Sequence, residues 1–217
     1  ELARFSQTSL RAHYSVFAYI RRACSVCQSI SRWFCDVDGF RDLQRATGLL
    51  VSGLTALSLF ERVRYPGADM DLYVLADHWS PVMEYMIQSG YQPILQSVPQ
   101  TDDLVSEKSQ KWDLCEYRRY EWGTRDAMAY TLPGIKTVVD LVDGVGRKVQ
   151  VVFVIYNPLD VILGFHSTVV MNFISHSGAF SLFPFSTFVL RRSIVFGFTG
   201  TSDQRDEVFE KYGSRGW

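Results

Sequence analysis

Two aspartates separated by one residue are the side chains in this sequence best placed to do chemistry. Asp69 and Asp71 alternate with Met70 and Leu72 in the segment ADMDLYVL. Residues two apart in a β-strand project from the same face, so the pattern predicts adjacent carboxylates and a Met and a Leu that face the core. Adjacent carboxylates repel each other unless a cation lies between them. Because Mg2+ prefers oxygen ligands, Asp69 and Asp71 are candidate metal ligands.

The elements that would position this pair follow from turn signals and apolar periodicity. An apolar run over 49–51 predicts a strand, Ser52-Gly53 predicts a tight turn, and 55–62 predicts a short helix. Alternation over 69–76 predicts the next strand. The aspartates are therefore expected at the start of a strand that follows a turn and a helix.

A second pair of strands is expected further along the chain. Two β-rich runs, 135–142 and 148–155, flank the turn segment DGVG, which is a strong hairpin signal. A four-residue turn would pair Asp140 with Val149 and would direct Asp140 away from Gln150. A register change of one residue would reverse that orientation.

Helices are expected on both sides of this core. Residues 11–34 predict one amphipathic helix, and 203–212 predict a last helix. The expected division is an N-terminal helical elaboration over 1–45, a core over 46–165 and a C-terminal helical extension over 166–217. The three parts are expected to form one compact unit.

The turn, the helix and the paired aspartates, in this order, resemble the nucleotidyltransferase fold of the DNA polymerase β-like superfamily, in a divergent form found in fungal proteins. The family pattern is an apolar residue, Gly, then Gly or Ser, a short helix and Asp-apolar-Asp/Glu-apolar, with a third carboxylate on a later strand. The segments SGLTALSLFERVRYPGADMDLYVL and KVQVVFV carry the resemblance, which covers about residues 46–175. It implies an α+β fold with a mixed β-sheet, helices packed mainly on one face, and extra N- and C-terminal helices.

The resemblance also implies a function. A member of this class binds an NTP with Mg2+ and transfers a nucleotidyl group to a hydroxyl acceptor. Asp69 and Asp71 would ligate Mg2+ and act as catalytic residues. Ser52, Gly53 and Thr55 would bind the nucleotide, because the turn lets the backbone approach a triphosphate at the N-terminus of the following helix.

Two positions depart from the family pattern. Leu54 follows Gly53 where Gly or Ser is usual, and Gln150 stands at the third carboxylate position. An amide oxygen can contact a cation, but it carries no negative charge and cannot act as a base. The degenerate third catalytic position leaves an alternative open, in which the domain is a catalytically inactive binding or scaffold module.

The composition limits the partners. Of 217 residues, 47% are hydrophobic and 21% are charged, which is typical of a globular domain and not of a disordered chain. The net charge of −1 lacks the basic surplus of a protein that coats a duplex, so it does not favour nucleic acid as a partner. The sequence has no clean apolar run of about 18 residues, so no membrane span is predicted.

The cysteines are expected to be structural thiols. A zinc site needs four ligands, and three cysteines without paired histidines do not supply them. Cys24 and Cys27 are expected to be buried on one helix face. Free thiols favour a reducing compartment, cytoplasm or nucleus, although the even count leaves a secreted protein open. The four cysteines are Cys24, Cys27, Cys35 and Cys115.

Overall fold

The computed structural model of the chain describes residues 2–94, 134–196 and 202–217. Cys115 lies outside these ranges. The residues of the acidic pair, the Ser52-Gly53 turn and the predicted hairpin lie within them.

A seven-stranded mixed β-sheet forms the centre of the described structure. Its strands are β1 Leu50–Ser52, β2 Met70–Leu75, β3 Gln92–Pro93, β4 Ile135–Val142, β5 Lys148–Val154, β6 Asn172–Ser175 and β7 Gly178–Ser181. They lie in the order β3-β4-β5-β2-β1-β6-β7. Strands β2 and β5 run parallel, and the other neighbours run antiparallel. The predicted α+β class and the mixed sheet are confirmed.

The α-helices flank this sheet. They are α1 Leu2–Ser6, α2 Leu10–Ala23, α3 Val26–Ile30, α4 Val37–Thr47, α5 Gly53–Glu61, α6 Trp79–Gln88, α7 Pro158–Leu163 and α8 Ser202–Gly213. Short side chains begin several of them by accepting backbone N–H groups that the first helical turn leaves unpaired, as Asp36 does for α4 and Asn157 for α7. Within the described residues, no helix is both long and apolar enough to cross a membrane.

The side chains of β2 and β5 alternate between two buried layers. Met70 and Leu72, both fully buried as expected, join Phe153 in a layer that α3, α4 and α6 cover. Tyr73 and Val152 join a second layer with α7 on the opposite face. Each face of the sheet is thus covered by helices, and the larger helical layer lies on the first face.

The prediction of one helix over 11–34 is wrong at its middle. α2 ends at Ala23, and α3 begins at Val26 because Ser25 Oγ accepts the backbone N–H of Gln28 and caps a new helix. Helix α2 also turns a different face to the protein than its larger side chains suggest. Its buried residues are Ala12 and Val16, whereas its exposed large side chains include Leu10, Tyr14, Phe17 and Ile20.

The C-terminal part contributes strands as well as a helix. Residues 166–217 were expected to be a helical extension, but β6 and β7 form a hairpin that joins the sheet where Ile174 pairs with Val51. The stretch 161–190 contains no Asp, Glu, Lys or Arg, so polar alternation could not mark these strands. The expected last helix is present as α8.

The cysteines in the described ranges are free thiols. Cys24 is half-buried, whereas Cys27 and Cys35 are exposed. The expectation that Cys24 and Cys27 are buried together is therefore wrong, because the helix breaks between them and Cys24 is the residue that ends α2.

Candidate functional site

Four polar side chains lie side by side across the sheet, one on each of four neighbouring strands. Ser52 is opposite Asp71, Asp71 is beside Gln150, and Gln150 is opposite Asp140. Laterally paired residues share a face of a sheet, so this cross-strand row projects from one face. Asp69, two residues before Asp71, adds a third carboxylate next to the two in the row.

The register of β4 and β5 corrects the prediction for Asp140. A backbone hydrogen bond of 3.1 Å from Asp143 to Arg147 closes a three-residue loop, whose last residue has a φ of 86°. Such a loop is a common hairpin connection, and it is one residue shorter than the turn assumed from the sequence. Asp140 therefore pairs with Gln150 and not with Val149.

Gln150 and Asp140 are directly bonded. Nε2 of Gln150 donates a hydrogen bond of 2.9 Å to Oδ1 of Asp140. The opposite orientation of the amide would bring its oxygen against the carboxylate, which repels it. Asp140 thereby fixes the orientation of the Gln150 amide. Its Nε2 faces Asp140, and its Oε1 is left to face another partner. The row thus contains a second acid, Asp140, which is one hydrogen bond away from Gln150.

Asp71 lies directly against the backbone at the start of α5. Gly53 has a φ of 62°, and a Cβ built there would lie 1.9 Å from Oδ2 of Asp71. This position requires glycine for two reasons. Its backbone is left-handed, and the carboxylate of Asp71 fills the space that a Cβ would take. The space next to the glycine, which the sequence assigned to a phosphate, is occupied on this side by the carboxylate of Asp71.

The hydroxyls expected to bind the nucleotide are engaged within the protein. Ser52 is fully buried, and its Oγ donates a hydrogen bond of 2.7 Å to the backbone carbonyl of Asn172. Thr55 Oγ1 donates to the carbonyl of Asp69 at 3.3 Å. The first bond ties β1 to β6, and the second ties α5 to the start of β2. Both residues therefore position the acidic pair.

The carboxylate of Asp71 is poorly compensated. Burial raises its pKa to about 7, and the neighbouring charge of Asp69 adds to the increase. The positive charge of Lys211 lowers this pKa, and the negative charge of Asp140 raises it further. Within the described part of the chain, no group donates a hydrogen bond to this carboxylate. Its negative charge thus has little local stabilisation.

Asp69 is the more accessible of the pair. Its pKa is raised, first by partial burial and then by Asp140, while Lys148 and Lys211 lower it. The sequence could have indicated Lys148, which lies two residues before Gln150 and shares its face. It could not have indicated Lys211, because only the packing of α8 brings that residue near.

The acidic pair fits some metal sites and not others. Across the described ranges, no group of three or more His, Cys, Asp or Glu side chains is arranged to hold a metal ion. The described residues therefore do not form a site built wholly from charged protein ligands. Mg2+ is commonly bound by one or two carboxylates, with substrate phosphates and waters as its other ligands. Asp69 and Asp71, with Oε1 of Gln150 as a neutral donor, suit a cation held in that way.

Comparison with known proteins adds no identification. No family model, no curated protein and no solved structure matches this chain.

Replacing Gly53 with Ala should destabilise the protein by about 2–4 kcal/mol, because it adds left-handed strain to a clash with Asp71. Gly90→Ala is the matched control, since Gly90 has a φ of 86° and nothing within 4 Å of its built Cβ. It should cost only the strain, about 1–2 kcal/mol. Urea unfolding of both variants measures the difference. If Asp71→Ala, added to Gly53→Ala, recovers no stability, the contact is not the cause.

The raised pKa of Asp71 should make the metal-free protein less stable as the pH rises. The folded state holds this proton more tightly than the unfolded state, so the contribution is full below about pH 4 and is lost as the pH passes about 7. The free energy of unfolding of Asp71→Asn, measured in EDTA, should therefore rise relative to wild type by more than about 1 kcal/mol between pH 4 and pH 8. A constant difference across this range would contradict the burial argument.

Proposed function

We propose that this chain is a nucleotidyltransferase-fold domain that binds an NTP together with Mg2+ at Asp69 and Asp71. The observation that carries the proposal is the half-buried carboxylate of Asp71, which lies against the first residue of α5 beside a second carboxylate. Two adjacent negative charges with little compensation are stabilised most directly by a divalent cation. The order strand, turn, helix, strand around them supports this fold assignment.

The surrounding charges suit a phosphate ligand on the cation. Asp69 and Asp71 would bind Mg2+ from the protein side, and phosphate oxygens would complete its coordination. The N-terminus of α5, next to Asp71, would contribute its positive dipole end and free N–H groups. Lys148 and Lys211, which both act on Asp69, would add positive charge for the remaining phosphate oxygens.

Gln150, the third residue of the cross-strand row, favours binding over catalysis. Nucleotidyl transfer needs a group that removes the proton of the attacking hydroxyl, and an amide such as Gln150 cannot take it. The absence of a three-acid metal group among the described residues points the same way. The function that the site supports best is therefore binding of an Mg2+-bound NTP with slow or no turnover.

Nucleotidyl transfer to a hydroxyl acceptor is the second candidate, and Asp140 favours it. Its carboxylate is bonded to Gln150 and acts electrostatically on both Asp69 and Asp71. A carboxylate can accept the proton that the amide cannot. In this candidate, Asp140 takes the role of the third acid from the neighbouring strand.

Isothermal titration with ATP, GTP, CTP and UTP should give saturable binding of at least one nucleotide in Mg2+ and none in EDTA. Asp69→Ala and Asp71→Asn should each weaken it at least about tenfold, because each removes a charged ligand. Asp77→Asn, an exposed acid just beyond β2, is the control and should leave the affinity unchanged. Heat that is absent for all four nucleotides, or that survives both site variants, would refute the proposal.

Incubation with nucleotides labelled at the α-phosphate, together with protein, RNA and small-molecule acceptors, separates the two candidates. The binding candidate predicts no label on any acceptor with wild type, and higher Mg2+ affinity for Gln150→Asp because a third charge is added. Labelled acceptor that depends on Asp140 would establish the transferase candidate. Asp140→Asn keeps the size of the side chain and removes its charge, and Asp160→Asn, an exposed acid on α7, serves as its control.

A further inference from the structure

Three arginines line one cleft at the end of α5 that lies away from the acidic pair. The cleft has a volume of about 150 Å3, and α3, the end of α5 and the segment after each of them form its walls. Its polar lining comes from arginine, serine and glutamine and includes no carboxylate. These residues are Arg32, Arg62, Arg64, Ser25, Ser29, Ser58 and Gln28.

Among the described residues, the positive charges of this arginine cleft have no ionic partner. In the ranges that the structure describes, no carboxylate pairs with Arg32, Arg62 or Arg64. Glu61, next to Arg62 in sequence, is paired with Arg191 at 2.5 Å. Burial, followed by the charge of Arg64, lowers the pKa of Arg32. Like charges thus lie near each other, and no carboxylate of the described residues is paired with them.

The backbone at Arg62 supports a role for this side chain. Arg62 ends α5 with a φ of 56°, in the left-handed region that glycine occupies at this position at little cost. Its guanidinium donates a hydrogen bond to the hydroxyl of Tyr19 and lies 5.7 Å from the centre of that ring. These contacts fix the side chain on α2, at the rim of the cleft.

We propose that the arginine cleft is a binding site for a small phosphate-bearing anion, separate from the acidic pair. Guanidinium groups bind phosphate through paired N–H donors, and the serine hydroxyls in the lining can donate as well. The volume suits a phosphate group and not a whole nucleotide, because sites for larger ligands run to about 300 Å3 or more. The cleft is concave, so the ligand is a soluble phosphate compound and not a lipid surface.

The cleft is distinct from the proposed nucleotide site. Helix α5 has nine residues, which at 1.5 Å per residue places its two ends about 13 Å apart. The carboxylate of Asp71 lies against Gly53, the first residue of α5, and Arg62 directly follows the last residue of the helix. The inference therefore does not rest on the proposed function, and either can fail alone.

A purely structural role is the rival explanation. Cations near the C-terminus of a helix are favourable to the helix dipole without any ligand. In that case, replacing Arg64 would lower stability and no anion would bind. A ligand site predicts a different result. Anion binding would be saturable and would stabilise the folded state.

The test follows the arginine Nε–Hε signals by NMR during titration with sodium phosphate at constant ionic strength. Saturable shifts are expected for Arg32, Arg62 and Arg64, with about tenfold weaker affinity in Arg64→Gln, since one charge-assisted contact is lost. Arg192→Gln, an exposed arginine outside the cleft, is the matched control and should bind as wild type does. Arg32→Lys, which keeps the charge and loses the paired donors, should also weaken binding if Arg64→Gln fails to fold.

The proposal is overturned by three results. These are no saturable shift, an equal loss of affinity in Arg192→Gln, or binding seen only with phosphatidylcholine vesicles that contain phosphatidic acid. Binding of glycerol 3-phosphate without vesicle binding supports the soluble ligand. The affinity for Mg2+-bound NTP in Arg64→Gln should equal that of wild type, because the two sites lie at opposite ends of α5.

Discussion

The contact between the carboxylate of Asp71 and the backbone of Gly53 is the constraint on which the candidate site depends. It requires a residue without a side chain at the start of α5, and it holds a half-buried carboxylate beside a second one. The strand register then sets Gln150 next to Asp71, and Thr55 holds the chain at Asp69. A half-buried carboxylate beside a like charge is unfavourable to the fold. The proposed cation binding would offset this cost.

Helix α5 separates two regions of opposite charge. Acidic side chains lie at its N-terminus and arginines at its C-terminus, which is the arrangement that complements the helix dipole. The same order leaves the acidic pair, the proposed cation site, at one end and the arginine cleft, the proposed anion site, at the other. The net charge of −1 is the sum of such opposed regions, so the overall composition could not indicate either of them.

Local patterns predicted the core of the site, and long-range geometry had to come from the structure. Strand periodicity placed Asp69 and Asp71 on one face and Met70 and Leu72 in the core, because that pattern depends only on residues two apart. The pairing of Asp140 with Gln150 was missed because it depends on the length of one loop. The arginine cleft joins segments about 30 residues apart, and no local pattern encodes such a contact.

The central claim is that Asp69 and Asp71 hold a divalent cation next to Gln150, and paramagnetic NMR tests it most directly. Mn2+ replaces Mg2+ in oxygen sites and broadens the signals of nuclei close to it. With substoichiometric Mn2+ and ATP, the account predicts selective loss of the Gln150 side-chain amide signal and of the backbone signals of Gly53 and Asp71. Signals of exposed acids such as Asp77 and Asp160 should persist. Uniform broadening at all exposed acids, with the Gln150 signal retained, would contradict the account.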